Sequence, residues 1–245
     1  MCSTTSSSNT PSNKHDRSLQ PPENSTIVLL YCVGVTVGNA TPTKGERTRE
    51  AILDEAARLA TVDGLEGLSV GQLARATGMS KSGLYAHFGS KLDLQLAAIE
   101  AARQTFVDEV LIPALHAPRG IERLLALCEA FLSHVERRVF PGGCFFAAAA
   151  VDVGARPGPV RDAIIEQRRS WLTLLERLAG EAAELGQLGS TADPAQLAFE
   201  LQALLVAANT SFILQGDASA FGRALAAVHA RLQITDPAAT SPPRT

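Results

Sequence analysis

Between Gly67 and Lys91 the chain carries Arg75, Lys81 and Lys91 without a single Asp or Glu, and interleaves them with Ser69, Ser80, Ser82, Tyr85 and His87. Hydroxyls, a phenol, an imidazole and ammonium groups on an acid-free stretch are suited to neutralising phosphates and hydrogen-bonding base edges. The competing chemistries are a metal site and a nucleophile. The four cysteines, Cys2, Cys32, Cys128 and Cys144, form no CxxC pair and have no ligand spacing with the five histidines, so no metal and no cofactor are expected. Cys144 follows Gly142-Gly143 and could act as a nucleophile with His134 as base, but a third orienting group and a cofactor loop are missing. Cys128 and Cys144 read instead as small buried apolar residues in a reducing cytoplasm, with a redox-sensing thiol as the alternative.

Two short helices meeting at a glycine would position the cationic stretch. Ser69 and Ser80 sit where N-caps belong, their hydroxyls able to accept from unpaired first-turn N–H groups. Gly78 between them can take positive φ and turn the chain, while Leu73, Ala74, Met79, Leu84 and Phe88 supply inner faces. This is a helix-turn-helix pattern.

The whole 245-residue chain is consistent with a helical protein: 46% of residues are hydrophobic, 5% aromatic and 19% charged, with net charge −3. Ala and Leu are abundant and period-two alternation is nearly absent after residue 40, which predicts an all-α fold. A mildly acidic chain with one locally basic face suits a small, specific nucleic-acid contact better than a non-specific coat. Residues 1–43, rich in Ser, Thr, Asn and Pro, are expected to be disordered. Within them Ile27 to Val37 is an apolar run too short to span a bilayer. It reads as a stray tail, or else as a weak membrane tether; stable membrane association is not expected.

Helix one is expected from Thr48 to Val62 and a fourth helix from Ser90 through Val110, stopped by Pro113. Further helices are expected at Ile121 to Val135, Cys144 to Val153, Val160 to Leu185, Ala195 to Gln215 and Ala218 to Gln233, before a frayed tail over 235–245. The count is nine.

The run Gly67-Leu68-Ser69-Val70 with Leu73-Ala74, then Ser80-Lys81-Ser82-Gly83-Leu84-Tyr85-Ala86-His87-Phe88 and Ser90-Lys91-Leu92, resembles the TetR family of bacterial regulators over about residues 46 to 92. The resemblance implies a three-helix DNA-binding head over 44–91 and a six-helix ligand-binding and dimerisation body over 92–234. It implies a DNA-binding set of Thr48, Ser69, Val70, Gly71, Ser80, Lys81, Ser82, Gly83, Tyr85, His87 and Lys91. Ser80, Lys81 and Ser82 would reach base edges or adjacent phosphates, and Tyr85, His87 and Lys91 would hold phosphates. Gly71 departs from the long polar residue often seen there, which leaves one contact in doubt. In the body, Phe131, Phe145, Phe146, Trp171 and Phe199 are candidate ligand contacts, and Leu201, Leu205, Phe212, Phe221, Leu225 and Val228 candidate dimer contacts. The implied function is a homodimeric cytoplasmic regulator, a repressor or else an activator, that binds a pseudo-palindromic double-stranded operator and answers to a small-molecule effector.

Overall fold

The computed structural model describes residues 43–189 and 192–232. The expectations for residues 1–42, including the apolar run, and for the 235–245 tail lie outside the described residues. Nine helices account for the described secondary structure: α1 (Lys44–Asp63), α2 (Val70–Thr77), α3 (Lys81–His87), α4 (Lys91–Phe106, with its continuation), α5 (Ile121–Glu136), α6 (Phe145–Val153), α7 (Pro159–Glu184), α8 (Pro194–Gln215) and α9 (Ser219–Arg231).

Helix α1 starts earlier than Thr48. Thr43 and Glu46 form a reciprocal capping box, the Thr43 hydroxyl accepting from the Glu46 N–H at 3.2 Å and the Glu46 carboxylate from the Thr43 N–H at 2.6 Å. Two otherwise unpaired N–H groups are thereby satisfied. Thr48 falls one turn inside the helix, where its hydroxyl donates to the Lys44 carbonyl at 2.9 Å.

Helix α4 does not stop at Pro113. After Phe106 it runs through one π-helical turn (Val107–Leu111) into a last α turn (Ile112–Leu115). The Ile112 N–H reaches back five residues to the Val107 carbonyl. Proline has no N–H to give the preceding turn, and a widened turn immediately before it keeps the axis continuous where an α turn would break.

Three apolar clusters organise the chain. The head core packs Ile52, Leu53 and Ala56 of α1 against Leu68, Leu73, Leu84 and Phe88, and is completed by Leu94 and Ala98 of α4. The head therefore extends past the boundary expected at residue 91. A second cluster joins head to body, bringing Ala57, Ala60 and Leu65 onto Ile99 and Ala102 of α4, Phe140, and Phe145, Ala149 and Val153 of α6. The body core gathers Phe106, Leu124, Leu127, Phe131, Leu175, Leu178, Leu201, Leu205 and Val228 from α4, α5, α7, α8 and α9.

The loop between α5 and α6 is pinned twice where it enters α6. Gly142 N–H donates to the Thr61 hydroxyl of α1 at 3.1 Å, and Cys144 N–H to the buried Asn209 side-chain oxygen of α8 at 2.9 Å. Backbone groups that lie in no helix thus find partners in the interior.

Candidate functional site

In the helix-turn-helix the Ser69 hydroxyl accepts from Gln72 N–H at 3.2 Å and the Ser80 hydroxyl from Gly83 N–H at 3.0 Å. Gly78 lies in the left-handed region at φ 68°, its N–H returning to the Ala74 carbonyl. An L side chain there would be strained, which is why the turn between α2 and α3 takes glycine. The ring of Phe88 closes the core from below, with the Arg49 guanidinium 5.0 Å above its centre.

Ser69, Ser80, Lys81, Ser82 and Lys91 are exposed, as is Tyr85 at 54%, while Val70, Gly71, Gly83, His87 and Thr48 are half-buried. Lys81 and Tyr85 stand one turn apart on α3, the spacing that places side chains on one face. Two residues are employed differently from the reading of the sequence. Lys91 Nζ donates to the Glu66 carbonyl at 2.7 Å and lies 3.4 Å from the Glu66 carboxylate, so its charge is already partly matched within the chain. At Gly71, a Cβ would meet Lys81 Cε at 3.7 Å and Nζ at 3.9 Å. The Lys81 stem crosses the first turn of α2 over the space that glycine leaves. The departure at Gly71 is thus where Lys81 lies, with its ammonium beside the positive end of a helix.

A cavity of about 170 Å³ opens in the body between α4, α5, α6, α7 and α8, lined by Phe106, Phe131, Cys144, Phe146, Ala147, Ala150, Val151, Ile164, Gln167, Arg168, Trp171, Gln202 and Val206. Three of the five expected ligand residues, Phe131, Phe146 and Trp171, line it. Phe145 does not; it is 2% exposed and packs toward the head beside Phe140. Phe199 does not either, since it points outward from α8 at 62% exposure. The sequence reading missed Phe106 and the polar members. Trp171 Nε1 donates to Gln202 Oε1 at 2.5 Å, and the cavity wall carries one charged side chain, Arg168. The available signal was Gln167, a polar residue on the buried stripe of α7 between Ile164 and Trp171.

The thiols and His134 are held away from reaction. Burial pushes the Cys128 thiol up to about 12 and raises Cys144 as well, so neither is a ready thiolate. Neither ring nitrogen of His134 has a hydrogen-bond partner among the described residues; its ring meets Phe106 and Phe140 edge-on at 5.9 and 5.7 Å. Cys144 and His134 thus share no hydrogen bond, contrary to what the nucleophile reading requires.

Burial, ahead of the neighbouring Glu109 and Arg137 charges, lowers the His134 pKa from 6.5 to about 4. A base whose folded pKa is depressed binds its proton more readily unfolded. Stability is therefore full above pH 6.5 and falls as pH drops from there toward about 4, by about 3 kcal/mol at most. Replacing His134 by Phe is expected to flatten this acid loss and to raise the neutral-pH melting temperature, because two unsatisfied buried nitrogens disappear; melting curves of both proteins between pH 7 and pH 4 measure it.

The faces of α8 and α9 also differ from expectation. Leu201, Leu205, Phe221 and Val228 are buried within this chain, and Phe212 and Leu225 half-buried against its core, so the first four have no surface left for a partner. Helix α8 is apolar on nearly every side, and there periodicity alone could not tell inner from outer. The outward row of α8 is Phe199, Ala203, Ala207, Thr210 and Leu214, beside Gly222, Ala226 and Ala230 of α9. By length and composition α8 is the one described helix that could cross a membrane.

Residues 52–98 match the family model for bacterial regulatory proteins of the tetR family, and residues 120–228 that for the tetracyclin repressor-like C-terminal domain. Transcriptional regulator AcuR of Cereibacter sphaeroides is 28% identical over 141 residues, 56% of this chain and 64% of that protein. HTH-type transcriptional regulator SrpR of Pseudomonas putida is 34% identical over 83 residues, 34% of this chain and 37% of that one. The chain thus matches less than two thirds of the length of each. Among solved structures, a TetR transcriptional regulator from Chloroflexus aurantiacus superposes with TM-score 0.72 at 24% identity, covering 78% of this chain and 96% of its own. AibR in complex with isovaleryl coenzyme A and operator DNA superposes with TM-score 0.63 at 25% identity, covering 76% and 98%. With the capped helix-turn-helix, the all-helical body and both family matches in place, the chain belongs to the TetR family of bacterial regulatory proteins.

Proposed function

We propose that this protein is a ligand-responsive transcriptional regulator, a repressor that binds a pseudo-palindromic operator as a homodimer in the bacterial cytoplasm and leaves it when a small molecule enters the body cavity. Support for DNA binding comes from the acid-free exposed face of α2 and α3, with Lys81, Ser82 and Tyr85 set to enter a major groove. The AibR complex, holding both an acyl coenzyme A and operator DNA on the same fold, supports the pairing of the two activities. The outward row on α8 and α9 supports dimerisation: Phe199 and Leu214 are 62% and 78% exposed, and small residues between them allow close helix approach.

The observation that carries the reading is the position of α6. On one side its Phe146, Ala147, Ala150 and Val151 line the cavity. At its end the Asp152 carboxylate accepts the Glu66 N–H at 3.2 Å, and Glu66 in turn holds Lys91 at the start of α4. A ligand that displaces α6 acts on the head through this polar connection and through the apolar cluster that holds Phe145, Ala149 and Val153 with Ala57, Ala60 and Leu65. Recognition helices on a dimer must sit about 34 Å apart to meet successive major grooves, so a small tilt is enough.

The test is selection of genomic fragments by the purified protein, followed by gel shift on the fragment recovered. A discrete operator is expected, weakened by Tyr85→Ala; recovery of no preferred sequence would sink the reading. Asp152→Ala is expected to leave operator affinity within about threefold while raising the effector concentration needed for release at least about fivefold, since it removes a coupling contact and no DNA contact.

A further inference from the structure

The body cavity has a chemical signature of its own. Its aromatic wall is formed by Phe106, Phe131, Phe146 and Trp171, with Phe131 stacked on Trp171 at 6.0 Å and Phe106 edge-on to it at 5.3 Å. The volume, about 170 Å³, is close to that of a cavity of about 150 Å³ that takes up benzene. Its apolar part has room for one ring or a short branched chain.

Two of the polar side chains on the wall, Gln202 and Arg168, offer donors. Indole N–H can only donate, so the bond from Trp171 Nε1 fixes the Gln202 oxygen and leaves the Gln202 amide NH₂ to donate, with no partner among the described residues. Arg168 is exposed on α7, lines the same cavity, and has no ion pair or hydrogen bond among the described residues. No Asp or Glu lines the cavity. A cation with nothing to neutralise, beside a free amide donor, favours an anion, and the planar guanidinium fork matches a carboxylate. One guanidinium matches one negative charge.

We propose that the cavity binds a small monocarboxylate with an apolar body, its ring or chain among the four aromatics and its carboxylate at the mouth on Arg168 and Gln202. This inference deepens the proposed effector role and rests on it only for the consequence of binding. Selectivity follows from the lining: a neutral amide of the same shape keeps the apolar contacts and loses the charge-assisted bonds, and an amine meets a like charge.

Trp171 is the single tryptophan of the chain, so its emission reports on the cavity directly. The probes are phenylacetate, phenylacetamide and phenethylammonium, titrated into the full-length protein without DNA. Phenylacetate is expected to change the emission saturably with a Kd at least about tenfold below that of phenylacetamide, and phenethylammonium to bind more weakly than either. Arg168→Gln, at an exposed position, is expected to bring phenylacetate and phenylacetamide within about threefold of each other while phenylacetamide binding is kept. Equal binding of acid and amide to the parent protein, a preference that survives Arg168→Gln, or no response to any of the three overturns the proposal. The gel shift separates the two readings. Phenylacetate that fills the cavity without releasing operator overturns the effector role and upholds the ligand class; release by an uncharged compound at which phenylacetate is inert does the reverse.

Discussion

Gly142→Ala is expected to lower the melting temperature by roughly 6–12 °C. A Cβ at Gly142 would sit 1.9 Å from the Thr61 carbonyl oxygen and 2.6 Å from its carbon. These are backbone atoms of α1 and cannot swing aside as a side-chain end would. Either the loop or α1 has to move, and movement of the loop breaks the Gly142 bond to Thr61 and strains the Cys144 bond to Asn209, at 3.1 and 2.9 Å. Overpacking of a tight site together with one lost interior hydrogen bond costs about 3 kcal/mol, which corresponds to the expected drop for a chain of this size. Gly180→Ala is the matched control. It lies within α7 with nothing inside 4 Å of an added Cβ, and a helical alanine there is expected to be neutral or stabilising by under about 1 kcal/mol. Scanning calorimetry of the two variants decides the matter; similar melting temperatures would mean that the loop does not bear on α1 as described.

The second large effect is on DNA. Under the proposed function, Lys81→Ala is expected to weaken operator binding by at least about thirtyfold, because a dimer loses two contacts of roughly 1–3 kcal/mol each. The loss should come without unfolding, since Lys81 is exposed and only its stem rests on the surface of α2 at Gly71. Two variables separate its role. If Lys81 holds phosphate, affinity falls alike on all sequences and the slope of log K against log salt becomes shallower by about two for the dimer. If it reads a base, the loss concentrates at one operator position. Affinity unchanged within twofold would remove Lys81 from the interface.

What the sequence made legible is what local chemistry determines. Ser69 and Ser80 each cap the helix they were expected to cap, and Ser90, where the fourth helix was expected to open, caps it too, because a hydroxyl accepting from an N–H three residues on is settled within four residues of chain. The same rule applied to Thr43 and Glu46 would have found the true start of α1, but Thr43 closes the polar tail and was counted with it. Facing was harder. Phe131 and Phe199 are the same residue type on apolar helices, yet one lines the cavity and the other faces outward, and only the packing of α8 on α7 and α9 distinguishes them. The contacts of Glu66 with Asp152 and Lys91 join residues 86 and 25 positions apart. No periodicity carries such pairs. The polar wall of the cavity was missed because aromatic size, rather than a lone Gln within an apolar stripe, guided the reading.

Helix α4 carries the head and the body on one rod. Its buried positions Leu94, Ala98, Ala102, Phe106, Val110 and Ala114 repeat every four residues, whereas an α-helix returns after about 3.6, so the buried line winds round the axis by about 40° per step. That winding lets one helix offer Leu94 and Ala98 to the head core and, three turns on, Phe106 to the body core. The π turn at Val107–Leu111, closed over five residues, takes up the drift so that Val110 and Ala114 stay on the line that Phe106 begins. The head and the body are therefore keyed to each other along one helix, and removal of a single residue from the wide turn would re-index the two cores against each other.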